Sequence, residues 1–217
     1  MKPILFNTEM VRAILEGRKI VTRRVLKEPF EVHPNGFITK PRGNERLCPY
    51  EPPYQVGDIL YVRETWRWLS CFECGRNMWA IPCKEGKHNH KYNDTGCYVF
   101  KANFNDCTVD LFRWRPSIHM PKEAARIFLR VTDVRVEKLH DMKLADFLAE
   151  GITLSRDELR RPDTALYNAR NIFRELWNST CGKPYTPKRY ANNWGANPYV
   201  WVIEFVVISK EEALESD

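Results

Sequence analysis

The sequence predicts an α+β fold, and three observations carry that expectation. Long runs of β-branched and aromatic residues fall at 59–66, 124–139 and 199–208. Apolar residues recur at helical spacing in 10–15, 144–148 and 166–177. No strand–helix–strand repeat, glycine-rich phosphate loop, internal repeat or low-complexity tract accompanies them. With 217 residues, 43% of them hydrophobic and 12% aromatic, the chain can bury a substantial core. A single domain over 1–209 is therefore expected, followed by an acidic tail over 210–217 that holds Glu211, Glu212, Glu215 and Asp217.

Met10, Ile14 and Leu15 follow Asn7-Thr8-Glu9, so Asn7 or Thr8 caps a first helix and Gly17 ends it. Ile20, Val21, Thr22 and Val25 then favour a strand, which leaves Lys19 just outside the helix and holds the Thr22 hydroxyl on stiff backbone. From Lys27 to Tyr54 proline, glycine and asparagine predict an irregular excursion with a short extended run at 36–39. Ile59 to Trp66 follows as a strand after the Gly57-Asp58 turn, and alternation puts Arg63 and Glu64 on opposite faces. A buried Glu64 needs a partner: either Arg23 or Arg24, or a substrate.

Ala124 to Leu139 reads as one long strand whose parity slips near Asp133, where a bulge or bend reconciles it. Asp141 is placed to cap the next helix, and Gly151 to stop it. Glu150 lies in that helix's last turn, where the backbone dipole disfavours a carboxylate, so a neighbouring cation is expected; the alternative is a solvent-exposed glutamate. Leu166, Ala169, Ile172, Phe173, Leu176 and Trp177 form the apolar stripe of a helix over 164–179. The loop 181–198 interleaves Lys188, Arg189, Tyr190 and Trp194, which suits either stacking of a base and holding of a phosphate or clamping of the loop by its aromatics. Tyr199 to Ile208 is a central strand in which Glu204 needs a buried partner.

Net charge is +6, and residues 17–46 hold eight Lys or Arg against three Glu, so the early segment is basic. Arg18, Lys19, Arg23 and Arg24 crowd into it, either as a site for phosphate-bearing partners or as a solvated face. The seven cysteines read as thiols or metal ligands, since neither a secretory leader nor a run of about 20 apolar residues is present, and a cytoplasmic protein without membrane contact is expected. Cys71-x-x-Cys74, Cys83, His88-x-His90 and Cys97 have the ligand types and spacing of a structural zinc site, within an insertion over about 68–110. Unliganded thiols are the competing reading. No organic cofactor is implied, and His119, bracketed by Pro116 and Pro121, is either a lone acid–base candidate or a structural histidine.

Gly17, Lys19, Thr22 and Arg24 form a Gly-x-Lys-x-x-Thr-x-Arg pattern. It resembles the ASCH domain, a small mixed β-barrel of the PUA-like superfamily with flanking helices, linked to RNA and modified nucleosides. Val56 to Val62, with its Gly-Asp turn, and Tyr199 to Phe205 resemble the family's other markers. Tyr61 to Trp66 and Trp114 to Pro121 resemble the longer forms of bacteriophages and prophages. The Cys/His insertion is not part of short ASCH domains. The resemblance implies a catalytic set of Lys19, Thr22 and Glu150 for amide hydrolysis on an acylated, cytidine-like nucleoside or RNA base. Arg18, Arg23, Arg24, Glu64, Trp66, Lys188, Arg189 and Tyr190 would surround the substrate. A non-catalytic RNA-binding protein and a metal-independent ribonuclease are the other activities it implies.

In such a set the threonine is the nucleophile, and the lysine is its base only if burial or neighbouring cations lower its pKa. Glu150 positions the lysine, shuttles a proton to the leaving amine or orients the substrate nitrogen. A tight Glu150–Lys19 pair raises the lysine pKa instead. Activation of water, with Thr22 donating only a hydrogen bond, stays open.

Overall fold

A computed structural model describes residues 1–27, 30–33, 38–42, 46–70, 87–89, 94–104, 113–180 and 192–215. In chain order the elements are strand β1 (Lys2–Leu5), helix α1 (Thr8–Leu15), strands β2 (Val21–Val25), β3 (Glu31–Val32), β4 (Ile38–Arg42), β5 (Arg46–Pro49), β6 (Ile59–Arg63), β7 (Trp66–Ser70), β8 (Lys87–Asn89), β9 (Asp94–Phe100) and β10 (Phe128–Lys138). Helices α2 (Leu144–Ala149), α3 (Arg156–Leu159) and α4 (Pro162–Thr180), strand β11 (Tyr199–Ile208) and helix α5 (Lys210–Glu215) complete the order. The architecture is mixed α+β with mostly antiparallel pairing. None of the described sheets closes into a barrel.

The chain falls into two compact units. The first comprises Met1–Arg12, Leu60–Phe128 and Ser209–Asp217, and the second Ala13–Ile59 and Leu129–Ile208.

In the first unit β1 runs parallel to β6, with Ile4 opposite Val62, and β9 lies between β7 and β8. The expected strand over 59–66 is broken at Glu64-Thr65 into β6 and β7. Trp66 opens β7 opposite Phe100 of β9 and also bridges Arg115. Arg63 donates to the carbonyls of Ile118 and Met120, so it serves the loop before β10. Over 210–215 the expected acidic tail forms α5, with Ala213 fully buried.

In the second unit the sheet order is β10-β11-β2, with Ile203 opposite Thr22 and Val202 opposite Arg23. Strand β10 begins later than expected, because Lys122–Ala124 is a short 3-10 turn. Ala165, Ala169, Phe173 and Trp177 recur every four residues on α4 and are buried against Val21, Phe147, Val200 and Val202. That stripe packs α2 and α4 on one sheet face. Helix α1 is capped by the Asn7 side chain, which accepts from the Met10 amide at 2.8 Å. Asp141 does not cap α2; it ends a 3-10 turn, and Asp146, at the helix's third position, accepts from the Lys143 amide at 2.8 Å instead.

Glu204 does not lie buried in β11. Its side chain is 43% exposed and it meets Arg135 at 2.5 Å, so no buried partner was required.

Candidate functional site

The site begins where α1 ends. Gly17 adopts φ 71°, and the amides of Arg18 and Lys19 both reach back to the Ala13 carbonyl, at 2.9 and 3.0 Å. This turn sends the chain along the end of α2, where Lys19 bridges Glu150 and the Ile20 amide donates to Ala149 at 2.9 Å. Gly151, at φ 96°, lets the two segments close up, for a Cβ there would lie 2.8 Å from Ala13 Cβ and 3.1 Å from Lys19 Cβ. Arg18 Nη1 fastens the junction by donating to the Gly151 carbonyl at 2.5 Å, and it also pairs with Glu16.

Lys19 is 1% exposed and Glu150 4% exposed. Lys19 Nζ donates to Glu150 Oε2 at 2.5 Å, to the Val21 carbonyl at 2.8 Å and to the Glu150 carbonyl at 3.1 Å. An ammonium has three donors, and each meets an acceptor here. Glu150 is therefore not the exposed helix end that the sequence left open. It sits at the C-cap of α2, and Lys19 supplies the cation that the dipole and the carboxylate both favour. Arg23 holds the other oxygen: Nη1 reaches Glu150 Oε1 at 3.1 Å, while Nη2 reaches Asp146 Oδ1 at 3.1 Å and Glu137 at 3.6 Å. Arg23 Nε is buried without a hydrogen-bond partner among the described residues.

Burial, the largest influence, holds Lys19 below the ordinary lysine range. The Glu150 carboxylate opposes it, and the Arg24 and Arg23 charges add to the lowering.

The opposite face of β2 has different chemistry. The Phe205 amide donates to the Ile20 carbonyl at 3.0 Å, so the Val21 carbonyl points away from β11 and Lys19 Nζ lies on the outer edge of β2. Successive strand residues alternate, which sets Val21 and Arg23 toward the helices and Thr22 and Arg24 away from them. Thr22 is buried opposite Ile203, and Arg24 stands opposite Trp201. Trp201 stacks on Tyr50 with ring centres 6.0 Å apart. Arg24 also acts electrostatically on Tyr54, whose hydroxyl burial pushes up in pKa, Arg24 opposing and Asp58 reinforcing. Lys19 thus stands at the edge between a carboxylate face and a face that combines hydroxyl, guanidinium and aromatic groups.

The remaining residues singled out in the sequence lie elsewhere or outside the described residues. Glu64 does not pair with Arg23 or Arg24. It is buried in the first unit, and Arg126 takes both of its oxygens, at 2.8 and 3.0 Å. The Arg126 guanidinium lies 4.3 Å from the Phe100 ring centre. Trp66 is buried too, with the Arg115 guanidinium 5.6 Å from its ring centre, and its indole nitrogen has no hydrogen-bond partner among the described residues. His119 ends a 3-10 turn and is exposed. Lys188, Arg189, Tyr190, Cys71, Cys74, Cys83 and His90 lie outside the described residues. His88 is on β8 opposite Thr95, and Cys97, on β9, is opposite Leu69 of β7. Among the described residues no three His, Cys, Asp or Glu group as metal ligands, and no described helix is long and apolar enough to cross a membrane.

Asp146, Glu137 and Arg126 were missed by the sequence reading. Only Asp146 carried a local signal, as an acidic residue at the third position of a short helix. Comparisons of the chain with protein-family models, curated proteins and solved structures return no match.

Proposed function

We propose that the chain is an ASCH-type hydrolase that cleaves the amide of an acylated, cytidine-like nucleoside or RNA base, with Lys19, Thr22 and Glu150 as its reacting groups. The observation that carries this reading is the buried Lys19–Glu150 contact at 2.5 Å on the edge of the strand that bears Thr22. Lys19 passes a proton to Glu150, an exchange that removes two buried charges at once. Because Thr22 stands on the other face of β2, the neutral amine turns from Glu150 around the strand edge and then takes the Thr22 proton as Oγ attacks the acyl carbon. Glu150 returns its proton to the leaving nitrogen, the carbon–nitrogen bond breaks, and water hydrolyses the threonine ester. The mixed, mainly antiparallel sheet with flanking helices suits a PUA-like fold, in a form whose described sheets stay open.

A second reading is a recognition protein without turnover. The Tyr50–Trp201 stack beside Arg24 favours it, because aromatic and guanidinium planes hold a base with no need for a reacting group. A structural zinc on Cys71, Cys74, Cys83 and one of His88, His90 or Cys97 is a separate proposal. It is supported by ligand type and spacing and by the common sheet that carries His88 and Cys97.

The test is incubation with a panel of N-acylated cytidines and small structured RNAs, followed by mass spectrometry. Acyl release by the wild type, lost on Lys19→Ala and on Thr22→Ala, is the expected result. Saturable RNA binding without turnover makes the chain a recognition protein. Cleaved RNA beside intact nucleosides makes it a ribonuclease.

A further inference from the structure

Arg23 sits in the basic stretch that suggested substrate contact, yet its guanidinium faces carboxylates of its own chain. Nη2 holds Asp146 at 3.1 Å and Nη1 holds Glu150 at 3.1 Å. These two residues are the third position and the C-cap of the same six-residue helix. Asp146 uses its other oxygen to accept the Lys143 amide at 2.8 Å and so starts that helix. A helix of six residues is far below the length that is stable by itself, so its two ends need external fixing. One planar fork supplies both, and does so from β2, the strand whose edge carries the Lys19 ammonium.

We propose that Arg23 is a positioning residue: by tying both ends of α2 to β2, it fixes the Glu150 carboxylate on Lys19. The proposal rests on the reading of Lys19 and Glu150 as a reacting pair. Geometry separates this role from a simple charge effect. The guanidinium spans two carboxylates with two separate nitrogens, which a lysine ammonium at the same place cannot reproduce. Asp146, held by Arg23 Nη2 and by the Lys143 amide, reaches the pair through that fork and through the start of the helix.

The experiment uses the whole chain and two variants, Arg23→Lys and Asp146→Asn. The Lys19 ζ-nitrogen is followed by NMR across a pH titration, which needs no substrate, and kcat and KM are measured on whichever acylated nucleoside the wild type cleaves. Both variants are expected to move the Lys19 titration. Both should lower kcat with KM little changed, by about a hundredfold for Arg23→Lys, the loss typical of a reacting group displaced by about an ångström. Unchanged Lys19 titration in both folded variants overturns the proposal, whatever the activity. If Arg23→Lys does not fold, Asp146→Asn decides alone, since its carboxylate is partly exposed and its amide still offers an oxygen to the Lys143 amide. A wild type that cleaves no acylated nucleoside sinks the proposed reaction, while the titration still decides whether Arg23 positions the pair.

Discussion

Lys19 carries its charge where a charge is costly, and its stabilisation depends on the acceptors around Nζ. Removing one partner of a buried pair leaves the other uncompensated, so Lys19→Met and Glu150→Gln should each lower stability by about 3 to 5 kcal/mol. The double substitution should cost clearly less than the two together, and urea unfolding of all four proteins measures this coupling. Strict additivity would mean that the contact contributes nothing. The pH dependence follows from the depressed lysine pKa. The folded chain releases this proton at lower pH than the unfolded chain, whose value is near the ordinary 10.5. Between the depressed value and 10.5 the unfolded state binds more protons, so stability rises with pH; below that window the burial penalty is fully present. The stability of the wild type minus that of Lys19→Met should therefore climb toward alkaline pH, by about 1.4 kcal/mol for each unit of depression. A flat difference would give Lys19 an ordinary proton affinity. At this scale the sequence singled out residues but said little of what they touch. Lys19 and Glu150 are 131 positions apart and meet, where the sequence had left an exposed Glu150 open, and Arg23, read as a substrate contact, turns inward to carboxylates that only the fold brings near.

Helix α2 shows how an element sets the position of a residue. Its end is determined by Gly151, whose φ of 96° and close approach to Ala13 and Lys19 leave no room for a side chain. Gly151→Ala should cost about 1 to 3 kcal/mol from backbone strain alone, with further loss from the contact on Ala13 Cβ. Thermal unfolding checks this, and the cost should be smaller in an Ala13→Gly background, where the 2.8 Å contact is gone. An equal cost in both backgrounds would assign the effect to φ and the Lys19 contact, with nothing from Ala13. Elements with strong periodicity were legible: α1, α4 and β11 lie within about two residues of their expected ends. Errors came where a local pattern met a tertiary demand. The run 59–66 is uniformly strand-like, yet it breaks at Glu64-Thr65 and Trp66 starts a second strand, opposite Phe100 and bridged to Arg115, and Asp141 looks like a cap but precedes a helix started by Asp146. The Cys71 insertion has its own test. Metal analysis of protein purified without a histidine tag should find one zinc per chain, lost on Cys71→Ser with Cys74→Ser; a metal-free wild type would leave these cysteines as thiols.

For the whole molecule, a net charge of +6 suggests a surface for phosphates, but the structure redistributes what that number implies. Arg18 is committed to the Gly151 carbonyl and Glu16, Lys19 to Glu150, and Arg23 to three carboxylates. Sequence composition counts these cations as available, because pairing across more than a hundred residues leaves no mark on a local charge run. Arg24 differs in its surroundings, since Trp201 of β11, stacked on Tyr50, stands opposite it in the sheet. Affinity for a short single-stranded RNA, measured against salt concentration, separates the two classes of arginine. Each phosphate contact on a single strand contributes a slope of about −0.7 in log K against log salt. Arg24→Gln should flatten the slope by about that amount, whereas Arg18→Gln should leave it unaltered. A flattened slope for Arg18→Gln would mean that the guanidinium leaves the Gly151 carbonyl for a phosphate, and that the junction holding Glu150 opens when RNA binds. Slopes unaltered in both variants would remove Arg18 and Arg24 from any phosphate interface and leave Arg18 with one task, the fastening of the junction beside the buried pair at the end of α2.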